Sequence, residues 1–426
     1  MRVPIAVRIA FSLLLVVSAP RTSYGFSVLA HQAVIDATWN TSLVPALRRR
    51  FPHASDADVE HARAFAYGGA HVADLGYFPL GNRLFTDLLH YVSSGDFLTA
   101  LVASAQTVDE YAFALGAVAH YVTDTIGHPE ATNRAVAEMY PHLRHKYGET
   151  VTYADDHGSH MQTEFRFDVL QMSRDKRTRD LFHHAVAFQV AKRPLDEAFR
   201  KTYGLGLDDV FGNTDVAILT YRLAFRELVH EATGIAWELY RADIQKLDPQ
   251  ATSAGFVYDM SRSDFDEEFG KTYRQPGYFA KFFALVVKLV PNVGPLKRTV
   301  YEPLPPHVVQ LFTAALDDSV ARYRDVVAAA RTSHVALEDR NLDTGRRARA
   351  GEYQPADEAY ASLLTKLAER DFRDVPPQLR ADILRYYGRT GGGGGGTAPA
   401  AAARSTAKAR KIARDLDRLA AFREQS

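Results

Sequence analysis

Two short segments of this chain carry side chains that hold metal ions, at a spacing that gathers them. His120, Asp124 and His128 fall at i, i+4 and i+8, and so do His160, Glu164 and Asp168. On an α-helix such positions advance by about 40° per step, so three side chains share one face. A histidine with a carboxylate one turn later offers nitrogen and oxygen donors to one zinc ion. The residues before His120 (111–119) are almost entirely apolar. Burying three polar groups beside them is costly unless an ion neutralises and coordinates them. Pro129 is expected to end the first helix just after His128, turning that histidine towards a second site.

Further candidates lie upstream. His31 stands early in the chain, Asp74 follows a Gly68-Gly69 pair in a loop-like stretch, and His90 precedes Tyr91. Asp155, Asp156 and His157, just ahead of His160, read as capping and turn chemistry rather than ligands.

The elements that must position these residues are helices. Apolar residues recur at three- and four-residue spacing over 97–120, 179–191, 215–242, 306–330 and 356–369. Alternating strand-like runs are scarce. Prolines 129, 194, 276, 291, 305 and 376 sit at plausible helix boundaries. The fold class read from this pattern is all-α.

Of the 426 residues, 51 are basic and 51 acidic, which gives no long-range electrostatic grip on nucleic acid. There is no cysteine, so disulfides and thiolate zinc sites are excluded and any metal is left to His, Asp, Glu and backbone groups. Residues 1–25 read as a secretory signal peptide, with Arg2 and Arg8 ahead of an apolar run, and Ser23 and Gly25 before the cut. Cleavage there makes Phe26 the new terminus and the protein secreted or periplasmic. No later stretch is apolar enough to span a bilayer. Three regions follow: 26–248 with the metal-ligand candidates, a helical region 249–389, and, beyond a glycine-rich linker at 390–399, a basic Ala-rich tail at 400–426. The tail's Ala, Arg and Lys content is compatible with a helix, and the tail is expected to be solvated and partly disordered.

Taken in order, the mature N-terminus, His31, Asp74, His90, His120-x3-Asp124, His128 and His160-x3-Glu164 resemble the zinc-dependent phospholipase C superfamily, over about residues 26 to 245. The superfamily includes single-strand nucleases and the catalytic domain of glycosylphosphatidylinositol-specific phospholipase D. The resemblance implies a multi-helix core binding three zinc ions in a cleft, here with an additional C-terminal helical region. Asp74, His90, His120 and Asp124 would hold one ion. The backbone amine and carbonyl of Phe26, with His31 and Asp124, would hold its neighbour. His128, His160 and Glu164 would hold a third, more open ion. The chain departs from the family in carrying Phe26 where Trp is usual. The gap from Asp124 to His128 is also short, like that of the anchor-cleaving phospholipase D. His71 is an alternative ligand in the first site.

The chemistry this implies is phosphodiester hydrolysis. Two zinc ions about 3.5–4 Å apart can share a bridging water and lower its pKa for attack on phosphorus. Asp74 is nominated as both ligand and orienting base. The expected substrate is a phospholipid at a membrane surface, cleaved as by a phospholipase C, with D-type cleavage as an alternative. An aromatic stretch at 277–290, with Lys281 and Lys288 on one face, reads as an interfacial or a core helix. Tyr77, Phe78 and Tyr91 are candidates for lining the pocket. A nuclease would keep the same metals but need a base-stacking clamp and a basic track. A non-catalytic, zinc-stabilised binding protein would use the metals structurally.

Overall fold

The computed structural model describes residues 28–78, 80–174, 188–257, 303–330, 337–389 and 407–422. The signal segment, Phe26, the 277–290 stretch and the glycine run lie outside them. The protein is all-α, and no strand occurs among the described residues. The first helices are α1 (Val28–Thr38), α2 (Val44–Arg50), α3 (Asp56–Val72), α4 (Arg83–Tyr91), α5 (Ser94–Ser104) and α6 (Val108–Gly127). They are followed by α7 (Asn133–Met139), α8 (Pro141–Tyr147), α9 (His157–Arg174), α10 (Lys192–Tyr203), α11 (Leu207–Val210) and α12 (Thr214–Leu247). The remainder are α13 (Ser253–Phe256), α14 (Pro306–Ala329), α15 (Gln354–Glu369), α16 (Pro377–Tyr386) and α17 (Ala407–Ala421).

The single helix expected over 97–120 is two. α5 stops at Ser104, and α6 restarts behind a Thr107 cap whose hydroxyl accepts from the Glu110 N–H while Glu110 accepts from the Thr107 N–H. That reciprocal pair satisfies two N-terminal donors and sets where α6 begins. Its other end also differs from expectation. Pro129 does not stop the helix: His128–Thr132 forms a widened π-helical turn that runs on into α7. Such a turn absorbs the proline's missing donor and re-aims the side chains around it.

The crossing of α3 on α6 builds the floor of the site. A Cβ on Gly69 would lie 1.9 Å from the Phe113 carbonyl oxygen, and one on Gly116 would lie 2.0 Å from that of Ala66. With neither side chain present the backbones touch, and the Ala70 carbonyl comes within 2.9 Å of His120 Nδ1. α12 is bent where Tyr240 leaves helical geometry.

Helices beyond residue 303 share the core of the first region. On α14, Tyr323 is fully buried and donates its hydroxyl to the Leu115 carbonyl at 2.8 Å. Phe312 stacks on Phe167 at 4.6 Å. Helix α15 packs on α4. The expectation of a solvated tail is corrected over 407–422. Leu416 and Leu419 of α17 are buried against α15 and α16, Lys411 donates to Thr365, and Arg418 pairs with Asp371. Its basic residues sit around this apolar stripe, so the helix that the composition allowed is amphipathic and packed rather than solvated. No described helix is long and apolar enough to cross a membrane.

Candidate metal centre

The predicted side chains, save those of Phe26, converge in one buried cluster. Zinc bound at about 2.0–2.2 Å in a tetrahedron holds its ligand atoms roughly 3.3–3.6 Å apart, so donor-to-donor distances test each group.

In the first group His90 Nε2 lies 3.5 Å from Asp74 Oδ1 and 3.5 Å from Asp124 Oδ2. His120 Nε2 lies 3.0 Å from Asp124 Oδ2 and 3.5 Å from His90 Nε2. Both imidazoles are aimed by their other nitrogen, which faces a backbone carbonyl at 2.9 Å: Thr86 for His90 and Ala70 for His120. Such contacts fix ring orientation and leave Nε2 for the ion. Asp74 comes from the one-turn 3-10 helix Ala73–Tyr77 after α3, and His90 from the end of α4.

A second group forms around the other oxygen of Asp124. His31 Nε2 of α1 stands 3.3 Å from Asp124 Oδ1, its ring stacked on His120 with centroids 4.2 Å apart. Helix α1 is tied down where Asp168 Oδ1 accepts the Leu29 N–H at 2.8 Å. Asp168, which continued the stripe in the sequence, thus positions α1.

The third group gathers about His128 and His160, with His128 Nδ1 and His160 Nε2 3.1 Å apart. Glu164 Oε1 is 2.9 Å from His160 Nε2 and 3.7 Å from His128 Nδ1. His128 turns its other nitrogen back to Asp124 Oδ1 at 3.5 Å, linking the groups. A residue the sequence reading missed also enters here. Asp343 Oδ1 lies 3.5 Å from His128 Nδ1 and 4.0 Å from His160 Nε2. His31 with His120 and Asp124, Asp74 with His90 and His120, and His128 with His160 and Asp343 each place ligand atoms close enough to share an ion.

The electrostatics fit cations. Burial pushes the Asp74 carboxyl up and Glu164 well up, the latter also because Asp124, Asp74 and Asp343 repel its charge. Burial would raise Asp124 too, but His120, His128 and His31 outweigh it and hold this carboxyl well below its usual range. Burial disfavours the His120 cation, yet Asp124 and Asp74 lift its pKa to about 9. No hydrogen bond reaches either carboxylate oxygen of Asp74 or Glu164, or Oδ1 of Asp343. Such groups are too costly to bury unless ions bind them. The donor set of imidazole and carboxylate, in a buried cluster, fits zinc.

Other candidates separate cleanly. His71 joins none of the three groups. It is buried between Phe188 and Phe225, with ring centroids 5.8 and 4.9 Å away. Asp156 caps α9 by accepting the Ser159 N–H, and Asp155 accepts from Thr152, as the turn reading expected. Tyr77 packs beside His90 and Tyr153, while Tyr91 packs on Tyr353, forming an aromatic wall next to the first group. Phe78 turns away to pack on Tyr221. A recess of about 250 Å³ lined by Tyr91, Asp339, Arg347, Tyr360, Asp382 and Arg385 contains none of the metal-ligand candidates.

An all-helical protein with buried imidazole and carboxylate groups spaced for metal ions belongs to a recognisable class. Residues 30–213 match the family model for zinc dependent phospholipase C, and the match supports membership of that family for this stretch. No curated protein and no solved structure gives a match. The family is zinc-dependent and suggests a hydrolase. Asp343 lies outside the matched stretch.

Proposed function

We propose that this chain is a secreted, zinc-dependent phosphodiester hydrolase acting on phospholipids with C-type cleavage, through a site for three zinc ions. The observation that carries the reading is Asp124, whose two oxygens face different donor sets: His90 and His120 on one side, His31 on the other. A carboxylate so placed suits a bridge between two neighbouring ions.

Asp74, His90, His120 and Asp124 hold the first ion. His31 and Asp124, with the backbone amine and carbonyl of Phe26, hold the second. Phe26 stands outside the described residues, and its part in the second site is what the resemblance implies. His128, His160 and Glu164 hold the third. Bound zinc supplies Lewis acidity towards the phosphodiester oxygens and makes water acidic enough to attack phosphorus near neutral pH. The chain's part is orientation and exclusion. Asp74 orients the attacking water with an oxygen that no hydrogen bond claims. Tyr77 and Tyr91 form an apolar wall, their hydroxyls kept protonated because burial pushes both well up.

The test is product analysis by mass spectrometry after incubating zinc-loaded mature protein with mixed phospholipid vesicles. Diacylglycerol plus phosphorylated headgroup is the expected result. Phosphatidic acid would reassign the enzyme to D-type cleavage, and turnover of single-stranded DNA but not lipid would make it a nuclease.

A further inference from the structure

The irregular segment 338–353, more than a hundred residues beyond the stretch that matches the family, is threaded into the metal centre. Several anchors pin it. Ser94 Oγ donates to the Arg340 carbonyl at 2.7 Å, the Leu342 N–H donates to the His90 carbonyl at 3.0 Å, and Asn133 Nδ2 donates to the Asp343 carbonyl at 2.9 Å. Asn341 Oδ1 accepts the N–H groups of Asp343 and Thr344, folding a side-chain-capped turn. Gly345 completes that turn at φ +67°, and a Cβ there would come 2.8 Å from the Thr125 carbonyl oxygen.

The turn presents one side chain. Asp343 is 3% exposed. Its Oδ2 accepts from the Tyr353 hydroxyl at 2.7 Å and the Tyr153 N–H at 3.2 Å. Its Oδ1 receives no hydrogen bond and faces His128 Nδ1 at 3.5 Å. One oxygen held by two donors and the other left bare is how a carboxylate is oriented for an ion.

We propose that Asp343 Oδ1 is the fourth protein ligand of the third zinc site, beside His128, His160 and Glu164. The C-terminal region is then part of the metal centre rather than an appendage to it. The inference rests on the zinc reading above. Two histidines and two carboxylates fill a tetrahedral ion, so this site is closed where three ligands would leave it open. A substrate oxygen would reach that ion only by five-coordination or by displacing a carboxylate.

The experiment counts zinc by mass spectrometry in wild-type protein processed to begin at Phe26 and in its Asp343→Asn and Tyr353→Phe variants, each dialysed against graded chelator, with circular dichroism to verify folding. Wild type is expected to retain three ions. Asp343→Asn is expected to lose one at chelator strengths at least about 100-fold lower, the upper end of what removing an outer-sphere partner costs. Tyr353→Phe, which keeps the ligand and loses one of its supports, should shift the same ion by about tenfold. Should Asp343→Asn misfold, the tyrosine variant alone decides. Equal retention by wild type and the folded variants overturns the fourth-ligand assignment and leaves the zinc reading intact. A wild type that binds no zinc overturns the zinc reading itself.

Discussion

His120 Nε2 and Asp124 Oδ2 lie 3.0 Å apart, one turn from each other on a buried helix. The opposite oxygen of the same aspartate faces His31, from the start of the chain. One carboxylate therefore joins two donor sets that arise from four different elements, and its loss should empty both. Asp124→Asn is expected to reduce bound zinc from three ions to one and to lower turnover by about 10³ or more. Metal analysis beside a lipid hydrolysis assay checks this, and a variant holding three ions would remove the bridge.

Retaining residues before Phe26, through an uncleaved tag, should leave two zinc ions bound instead of three, because a peptide nitrogen cannot replace a free amine as a ligand. Tagged and processed proteins compared by metal analysis decide the point. Equal content would show that the terminus takes no part.

Gly69→Ala tests the helix crossing. The added methyl meets the Phe113 carbonyl and must push α3 from α6, at a cost of about 1–3 kcal/mol as for other overpacked cores. The same displacement draws the Ala70 carbonyl away from His120 Nδ1, so zinc affinity should fall together with the denaturation midpoint. Loss of stability with unchanged zinc affinity would separate the crossing from the site.

Zinc binding should release protons. Without metal, His120 keeps its proton up to pH of about 9, and Nε2 cannot ligate until that proton leaves. Zinc affinity therefore climbs as pH rises towards 9 and levels off beyond it. The same raised pKa stabilises the metal-free fold fully below pH of about 6.5 and is lost as pH rises through 9, so metal-free stability moves the opposite way. Calorimetric zinc titrations at pH 7.5, in buffers of differing ionisation enthalpy, measure the release. A buffer-independent heat would contradict it.

How much of this was legible in the sequence follows from how local each signal is. The pairs His120–Asp124 and His160–Glu164 were visible because helical periodicity alone places i and i+4 together. Asp74, His90 and His31 carry no such local mark and became candidates only through the ordered resemblance. Asp343 was hidden: it is 179 or more residues from its partners and sits in an irregular turn with no periodicity. Its only trace is Asn341 two residues before it and Gly345 two after, a turn signature that says nothing of what the turn points at. The break at Ser104 could have been read, since Thr107 and Glu110 spell a capping box inside an unbroken apolar pattern. The π-helical turn at His128 could not, because a proline reads as a stop until the widened turn is seen.

The most direct test of the account is anomalous diffraction at the zinc edge from crystals of the zinc-loaded, processed protein. Three peaks are expected, two flanking Asp124 and one among His128, His160, Glu164 and Asp343. Absence of a peak between Asp124 and the Asp74, His90 and His120 side chains would contradict the metal centre on which the hydrolase reading stands.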